Sequence, residues 1–303
     1  MLEGVCKMTA KVYAVIISYR PTSAFINNIY KLVRQFPFVI LVDNTPIAFL
    51  DHNLMNFSYD NLYIIKNGKN VGVAKALNQG IGYAEKLGAE WVVTFDQDTV
   101  ISNVFLQEIL HECKKELECE DIGVIGVNYL NENNQQLGLQ LPSHPPLREL
   151  TDVITSGCIT SIKGFKAIGG FQNELFIDMV DCEYCFRLRK NGYRVLIYTK
   201  HLMSHSLGNL EVITILGRNI NLFNHSPFRR YFIFRNTIYM LKKYFLFDTK
   251  WCLRVIIFNY LPKLFIKACL LEKRKKENFK WIIKGIRDGI FSRYNNSFME
   301  NGK

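Results

Sequence analysis

The sequence WVVTFDQD, residues Trp91–Asp98, is a short apolar run that ends in two aspartates one residue apart. Runs of this length that are rich in Val and bounded by polar residues are typical of buried strands. The same pattern occurs three times before it: Val12–Ser18 with Tyr19 and Arg20, Phe38–Val42 with Asp43 and Asn44, and Leu62–Lys66 with Asn67. We therefore predict four strands with polar carboxyl ends.

Amphipathic segments alternate with these strands. They predict helices at Ala24–Phe36, Val73–Leu87 and Val104–Leu117, and a further strand follows at Gly123–Tyr129. Strands that alternate with helices form mostly parallel sheets with helices on both faces, which is the α/β class. Ligands of such sheets bind at the carboxyl ends of the strands, so the polar residues there are candidate site residues.

The second half of the chain begins with a polar, Pro-rich segment, Asn131–Glu149, which we interpret as a long surface loop. Regular structure is predicted to resume at Val153–Ser161. The sequence FIDMVDCEYCFRLRKNG then predicts a helix with an acidic start that ends at Gly192, and Tyr193–Tyr198 predicts another strand.

Basic residues are concentrated in the last quarter of the chain. Residues 229–303 contain 18 Lys and Arg but only 5 Asp and Glu, a balance of +13, whereas residues 1–228 have a balance of −2. This difference predicts a domain at 1–228 and a helical basic extension at 229–303. In the extension, basic residues alternate with Phe, Tyr, Ile and Leu, which is typical of amphipathic helices on anionic membranes. The alternative is that these helices pack on the main domain and expose a basic face.

Composition excludes several classes of protein. With 49% hydrophobic and 21% charged residues, the chain is globular rather than disordered or fibrous. We predict no membrane-spanning helix, since no apolar run approaches about 18 residues, no signal peptide, and no nucleic-acid binding, since no such motif is present. The eight cysteines are expected to be free thiols in the cytosol. These include Cys182 and Cys185, whose CxxC spacing has no second pair of zinc ligands.

Asp96 and Asp98 form the first candidate site. Two carboxylates at a strand end can share a divalent cation with a nucleotide, and Mg²⁺ and Mn²⁺ prefer carboxylate and phosphate oxygens. Two solvated aspartates in a turn remain the alternative. The segment NVGVAKALNQGI, which contains Asn70 and Asn78, crosses a helix start of the kind that receives phosphate, although it lacks the dinucleotide and Walker patterns.

Asp178, Asp181 and Glu183 form a second acidic cluster at the start of a predicted helix. In a helix, Asp178 and Asp181 lie on one face, where a carboxylate can act as a general base on a hydroxyl group. The alternative is that the helix macrodipole favours acidic residues in the first turn.

Taken together, these segments resemble glycosyltransferase family 2, which has the GT-A fold, and within it the bacterial rhamnosyltransferases. The resemblance spans about residues 12–236 and rests on these segments: ISYR, VDN, KNVGVAKALNQGI, WVVTFDQDTVI, GFQNELFIDMVDCEYCFRLRKNGYRV, HSLG and SPFRRYFIFRN. The DQD form of the metal motif and the segment SPFRRYFIFRN are its most specific parts.

The resemblance implies a role for each matching residue. Asp43 would lie by the nucleobase, with Tyr19, Arg20, Asn44, Asn70 and Asn78 also binding the nucleotide sugar. Asp96 would contact the ribose, and Asp98 and His205 would complete the Mg²⁺ or Mn²⁺ site. Asp181 would be the catalytic base, with Glu183 and Asp178 supporting the acceptor and Arg187 either orienting the helix or holding a carboxylate. The family more often has a second acid before the base, where this chain has Val180, and His201 competes with His205.

The resemblance also implies the reaction and its partners. It implies an inverting transfer, with dTDP-L-rhamnose as the donor and a saccharide on a lipid diphosphate carrier as the acceptor, in cell-surface polysaccharide synthesis. The enzyme would then be cytoplasmic and peripheral to the inner face of the bacterial plasma membrane. Three alternatives remain: a family 2 transferase of glucosyl, galactosyl or galactofuranosyl groups, a nucleotidyltransferase, and a non-catalytic membrane scaffold. A nucleotidyltransferase would need a Gly-rich nucleotide-binding loop directly after the first strand. Here the residues at that position are SYRPTSAFIN, which contain no glycine, so this alternative is disfavoured.

Overall fold

The computed structural model describes residues 10–49, 57, 59–130, 141–142, 144–205, 211–215, 218–254, 256 and 261–293. Four regions used in the sequence analysis lie wholly or partly outside these residues. They are the first nine residues, most of the loop predicted at Asn131–Glu149, residues 206–208 of the HSLG segment, and residues 255, 257–260 and 294–303 of the predicted basic extension.

The chain divides into two compact units. The first consists of Met1–Val71, Lys75–Phe171 and Arg187–Ser206, and the second of Gly72–Ala74, Gln172–Phe186 and Leu207–Lys303. The predicted division between residues 228 and 229 follows charge rather than compactness, and it stays a prediction.

A nine-stranded sheet forms the first unit. Its strands are β1 (Val12–Ser18), β2 (Val39–Asp43), β3 (Leu62–Lys66), β4 (Trp91–Asp96), β5 (Thr99–Ile101), β6 (Ile122–Leu130), β7 (Leu147–Glu149), β8 (Cys158–Ser161) and β9 (Arg194–His205). Their order is β3-β2-β1-β4-β8-β6-β9-β5, and β7 also pairs with β9. Strands β1 to β4 are parallel to one another, as are β6 and β9. Strands β5, β7 and β8 pair in the antiparallel direction. The predicted α/β fold with a mostly parallel sheet is confirmed.

Helices cover both faces of this sheet. The helices of the first unit are α1 (Ala24–Gln35), α2 (Val73–Lys86), α3 (Phe105–Glu112), α4 (Lys114–Leu117) and α5 (Ile162–Ile168). Helix α6 (Val180–Lys190) begins in the second unit and ends in the first. Ala14 and Ile16 of β1 belong to a core cluster that also contains residues of α1 and α3. The opposite face of β1 meets α2, where Gly80 lies against Val15. This two-sided burial explains why β1 is apolar along its whole length.

The second unit contains a hairpin and helices. They are β10 (Glu211–Ile215), β11 (Arg218–Leu222), α7 (Pro227–Tyr244), α8 (Thr249–Trp251), α9 (Leu261–Ile266), a turn of π-helix (Lys267–Leu271) and α10 (Lys275–Ile290). Helix α7 is buried on several sides, and Tyr231 and Phe232 pack on Phe176 in one of its aromatic clusters. In the described part of the chain, no helix has the length and apolar character needed to cross a bilayer.

Three predicted elements differ from the structure. The helix predicted at Val104–Leu117 is two helices, α3 and α4, which break at Cys113. Only Cys158–Ser161 of the segment predicted at Val153–Ser161 is a strand, and helix α5 follows it directly. The acidic helix begins at Val180, so Asp178 precedes it instead of lying on its surface.

Two glycines of α2 provide a test of this packing. A Cβ on Gly80 would lie 2.4 Å from Cγ1 of Val15 and 3.1 Å from Cγ2 of Val42, whereas a Cβ on Gly82 would meet nothing within 4 Å. We expect Gly80→Ala to lower the free energy of unfolding by about 1–3 kcal/mol because it overpacks the core. Gly82→Ala should raise the free energy of unfolding by about 0.5–1 kcal/mol, because alanine has less conformational freedom than glycine in the unfolded chain. Urea denaturation measures both, and an equal effect of the two variants would contradict the packing of α2 on β1.

Candidate active site

Asp96, Asp98 and His205 come together at one edge of the sheet. Each offers a ligand atom, and these atoms all lie within 4.8 Å of one another. Asp96 ends β4, Asp98 lies in the turn that follows, and His205 ends β9. The His205 Nε2 atom is 4.0 Å from Asp96 Oδ2, and its Nδ1 atom is 3.4 Å from Asp98 Oδ1. Two carboxylates and an imidazole suit Mg²⁺ or Mn²⁺.

Strand pairing brings His205 to this position. Thr99 of β5 pairs with His205 of β9 in the antiparallel direction, and Thr99 Oγ1 lies 3.0 Å from His205 Nδ1. Thr99 Oγ1 also contacts Ser156 Oγ, which accepts a hydrogen bond from the backbone N–H of Asp96. The two hydroxyl groups therefore connect His205 to the end of β4. Such partners orient metal ligands in proteins.

His201, the competing histidine, lies four residues before His205 on β9. It is not in the group of three ligands found among the described residues.

Asp43 lies fully buried at the end of β2. Its Oδ1 atom accepts hydrogen bonds from Ser18 Oγ at 2.7 Å, from Thr45 Oγ1 at 2.7 Å and from the Thr45 backbone N–H at 3.3 Å. Its Oδ2 atom is buried and receives no hydrogen bond from any residue in the described part of the chain. A buried carboxylate oxygen without a donor is costly, so Oδ2 is a candidate acceptor for a ligand N–H.

Three other residues predicted to bind the nucleotide directly follow β1 and β2. The backbone N–H of Arg20 donates to Thr45 Oγ1 at 2.8 Å, and the Arg20 guanidinium stacks 3.6 Å from the ring centre of Phe49. Tyr19 is exposed, and its N–H donates to Gln97 in the turn between β4 and β5. Asn44 Oδ1 accepts from Asn67, which exchanges two further hydrogen bonds with Gln79.

Asn70 and Asn78 lie on either side of the start of α2. Asn70 is partly buried just before the helix. Asn78 lies within the helix, and its amide both donates to the carbonyl and accepts from the N–H of Phe171. This reciprocal pair connects α2 to the turn after α5, which is a structural task.

The acidic residues predicted near the acceptor lie in the second unit, and they have different environments. Asp178 forms a bidentate ion pair with Arg229, with a shortest N···O distance of 2.9 Å. Glu183 is fully buried, and its Oε1 atom accepts from Lys243 Nζ at 2.9 Å and Tyr244 Oη at 2.8 Å. Asp181 is partly exposed in the first turn of α6, where its Oδ1 atom accepts from the N–H of Cys182.

The backbone before α6 is strained. Phe176, Asp178 and Met179 have φ values of 65°, 62° and 60°, in the region that L side chains rarely adopt. Phe176 also has ψ of −63°, and the Ile177 N–H donates to the Leu175 carbonyl at 2.7 Å. This is a γ-turn of the rare positive-φ form. Each such residue costs on the order of 1–3 kcal/mol and persists only where its surroundings enforce it.

Arg187, on α6, was predicted either to orient the helix or to hold a carboxylate, and both roles stay predictions. Its side chain is buried, and its guanidinium donates to the carbonyls of Ile168 and Gly170. The seven cysteines in the described part of the chain form no disulfide with one another, and Cys182 and Cys185 are both buried.

Sequence reasoning assigned no role to the residues that hold the candidate ligands. Ser18 and Thr45, which bond Asp43, each lie next to a predicted site residue, so a search of the neighbouring hydroxyl groups would have found them. Thr99 directly follows the DQD segment and has the same signal. Ser156 gave none, because only the fold brings it to Asp96.

Comparison with known proteins assigns the family. The model of glycosyl transferase family 2 matches residues 14–168. The chain belongs to this family. It is 32% identical over 298 residues to dTDP-rhamnosyl transferase RfbF of Shigella flexneri. The alignment covers 93% of this chain and 96% of that protein. The predicted resemblance to family 2 and to its rhamnosyltransferase branch is confirmed, and the chain is a glycosyltransferase.

Solved structures of other glycosyltransferases share the fold. TarS 1–349 of S. aureus aligns with a TM-score of 0.54 and 14% identity, over 94% of this chain and 82% of that one. GalNAc-T7 with UDP, GalNAc and Mn²⁺ aligns with a TM-score of 0.58 and 11% identity, over 94% of this chain and 58% of that one. At these identities the similarity shows the fold alone, and it is the predicted GT-A fold.

Proposed function

We propose that this glycosyltransferase moves L-rhamnose from dTDP-β-L-rhamnose to a hydroxyl group of a growing cell-surface polysaccharide. The observation that carries the choice of donor is the 32% identity, over nearly the whole chain, to a dTDP-rhamnosyl transferase. The acceptor, a saccharide on a lipid diphosphate carrier, rests on the resemblance of the sequence motifs to the rhamnosyltransferase branch.

Asp43 is our candidate for reading the base of the donor. Thymine carries an imide N–H, and the buried Oδ2 atom of Asp43 is an acceptor that receives no hydrogen bond from the described residues. Ser18 and Thr45 hold the other carboxylate oxygen in place, so the acceptor is fixed before the ligand arrives. Tyr19, Arg20, Asn44 and Asn70 would line the same region. We leave Asn78 out because both ends of its amide bind Phe171.

Asp96, Asp98 and His205 would hold a divalent cation, either Mg²⁺ or Mn²⁺. The donor set fits, because two carboxylates provide hard oxygen ligands and Thr99 fixes the orientation of the imidazole. When bound, the cation supplies positive charge that balances the negative charge of the departing diphosphate. Asp96 would also contact the sugar of the nucleotide.

Asp181 would be the general base. In a single displacement, the acceptor oxygen bonds to the anomeric carbon while the bond from that carbon to the diphosphate oxygen breaks. Asp181 takes the proton of the acceptor hydroxyl, and the configuration inverts. The partial exposure of Asp181 supports this role. Asp178 and Glu183 are engaged by Arg229 and by Lys243 and Tyr244, so we assign them to support of the segment that carries the base.

The cation site is tested by Asp98→Asn. We expect Mn²⁺ to tighten dTDP binding in the native chain, and we expect this gain to fall by at least about tenfold in the variant, because a ligand is lost. Calorimetric titration of dTDP with and without Mn²⁺ measures it. Asp121→Asn, an exposed aspartate of the first unit, is the control and should bind as the native chain does. A native gain from Mn²⁺ in Asp98→Asn would refute the site, and no gain in the native chain would favour a non-catalytic scaffold.

The general base is tested by Asp181→Asn. The amide keeps the shape of the side chain but cannot take a proton at this step, so we expect turnover to fall about a hundredfold or more. Donor affinity should stay within a factor of about two, measured by the same titration. Unchanged turnover, or a loss confined to donor binding, would contradict the assignment.

We also propose that the basic extension docks on an anionic membrane. Phe279, Ile283 and Ile290 project from α10 and are each about half exposed, and Leu270 lies exposed in the preceding turn. At 100° per residue, Lys276 and Lys280 lie beside this apolar stripe on the same exposed side of α10. An exposed apolar stripe beside lysines is the surface that an anionic bilayer fits. Docking through this surface would make the enzyme peripheral to the inner face of the plasma membrane.

Vesicle sedimentation tests this surface. We expect the chain to bind vesicles that contain phosphatidylglycerol at low salt, to dissociate at high salt, and to ignore neutral vesicles. The double variant Lys276→Gln/Lys280→Gln should bind vesicles about tenfold more weakly or worse, since each charge contributes about 1 kcal/mol. The control replaces Lys114 and Lys115, two exposed lysines of the first unit. Equal binding to neutral and anionic vesicles, or an equal effect of the control, would refute the docking surface.

A further inference from the structure

The segment SPFRRYFIFRN, residues 226–236, has no role in the reaction described above. It forms the first half of α7: Ser226 caps the helix by accepting a hydrogen bond from the Arg229 N–H, and Pro227 occupies the first turn. Three of its side chains point to one neighbouring stretch of the same compact unit, residues 174–178, which ends just before α6.

Asn236 makes most of these contacts. It is fully buried, and its Nδ2 atom lies 2.9 Å from the carbonyl oxygen of Leu175, 2.8 Å from that of Ile177 and 2.9 Å from that of Asp178. The three carbonyl groups belong to the strained turn, so one amide collects acceptors from almost all of it.

Arg235 fixes the direction of that amide. Its Nε atom donates to Asn236 Oδ1 at 2.9 Å, so the Nδ2 side must face the carbonyls. Its Nη2 atom donates to the carbonyls of Glu174 and Leu175. The guanidinium is fully buried above the ring of Phe232. A fully buried arginine is rare in proteins unless its donors are used.

Arg229 completes the set through the bidentate pair with Asp178. It lies seven residues before Asn236, which places the two on the same side of α7. Helix α7 therefore binds both the backbone carbonyls of the turn and the side chain of Asp178. Further along the helix, Lys243 and Tyr244 bind Glu183, in the first turn of α6.

The turn that α7 binds is the one with the strained backbone. Phe176, Asp178 and Met179 all have positive φ, and strain of this kind persists only where contacts enforce it. Asp181 follows two residues after Met179. If the turn relaxed, the start of α6 and the carboxylate of Asp181 would be displaced.

We propose that Arg229, Arg235 and Asn236 are positioning residues that hold the strained turn so that Asp181 meets the acceptor hydroxyl. This inference rests on the proposed role of Asp181 as general base. It gives the SPFRRYFIFRN segment a function in the reaction, although none of its side chains needs to touch the substrate.

The test compares two neighbouring buried residues of α7. Asn236→Ala removes the three hydrogen bonds to the turn. Thr237→Val is the matched control, because Thr237 is equally buried but its hydroxyl bonds only to the Ile233 carbonyl of its own helix among the contacts described. We expect kcat of Asn236→Ala to fall by at least about tenfold, since small displacements of a catalytic group are costly. The donor KM and dTDP affinity should change less than twofold, and Thr237→Val should keep kcat within twofold.

Hydrogen exchange reports on the turn without any activity. Amides of residues 175–183 should exchange faster in Asn236→Ala than in the native chain or Thr237→Val. If no donor supports transfer, the proposed function fails, whereas this comparison still decides whether α7 holds the turn. Unchanged exchange, native kcat, or an equal loss in Thr237→Val would each overturn the inference.

A second pair of variants covers the case in which Asn236→Ala does not fold. Arg229 is partly exposed, so Arg229→Gln and Asp178→Asn are expected to fold. Their effects on kcat should be strongly non-additive, because each breaks the same ion pair. Arg229→Lys should restore part of the lost kcat. Additive effects, or no rescue by lysine, would count against a positioning role.

Discussion

The parallel register of β1 with β2 and β4 is the constraint on which the candidate donor site depends. It aligns Ser18 with Asp43 and Ile17 with Asp96, so the nucleobase candidate and the first metal candidate leave the sheet at the same edge. A shift of one residue would turn every side chain to the opposite face. Because all three strands are buried on both faces, such a shift is strongly disfavoured, and the site inherits the rigidity of the sheet.

In the second unit, the position of the candidate base is restrained by side-chain contacts and not by strand pairing. A rigid sheet edge presents the donor-binding candidates, but Asp181 lies at the start of a helix that follows a strained turn. Here the restraint comes from side chains, with buried Arg235 and Asn236 and the Arg229–Asp178 pair acting on the backbone of the turn. Strain in one segment is thus offset by hydrogen bonds from another that lies about 60 residues later in the chain.

Sequence reasoning worked where the signal is local. Strands β1 to β4 are continuous apolar runs with polar ends, so their positions and the identity of Asp43, Asp96 and Asp98 were visible in the sequence. The three-residue strand β5 was not, because its existence depends on pairing with β9 about a hundred residues later. The same long-range pairing is what brings His205, rather than His201, to the two aspartates. The placement of Asp178 in the helix was wrong because positive φ angles at Asp178 and Met179 delay the helix until Val180, and a run of non-glycine residues gives no sign of that.

The central claim is the transfer of L-rhamnose from a dTDP-linked donor. It is tested most directly by incubating the purified chain, in Mn²⁺ and with a bacterial lipid-linked saccharide extract, with dTDP-L-rhamnose, UDP-glucose, UDP-galactose or UDP-galactofuranose in turn, and measuring the nucleoside diphosphate released. The account predicts that dTDP-L-rhamnose gives the fastest release, and that this release depends on the extract. Faster release from one of the UDP-sugars, or no release from any donor, would contradict it.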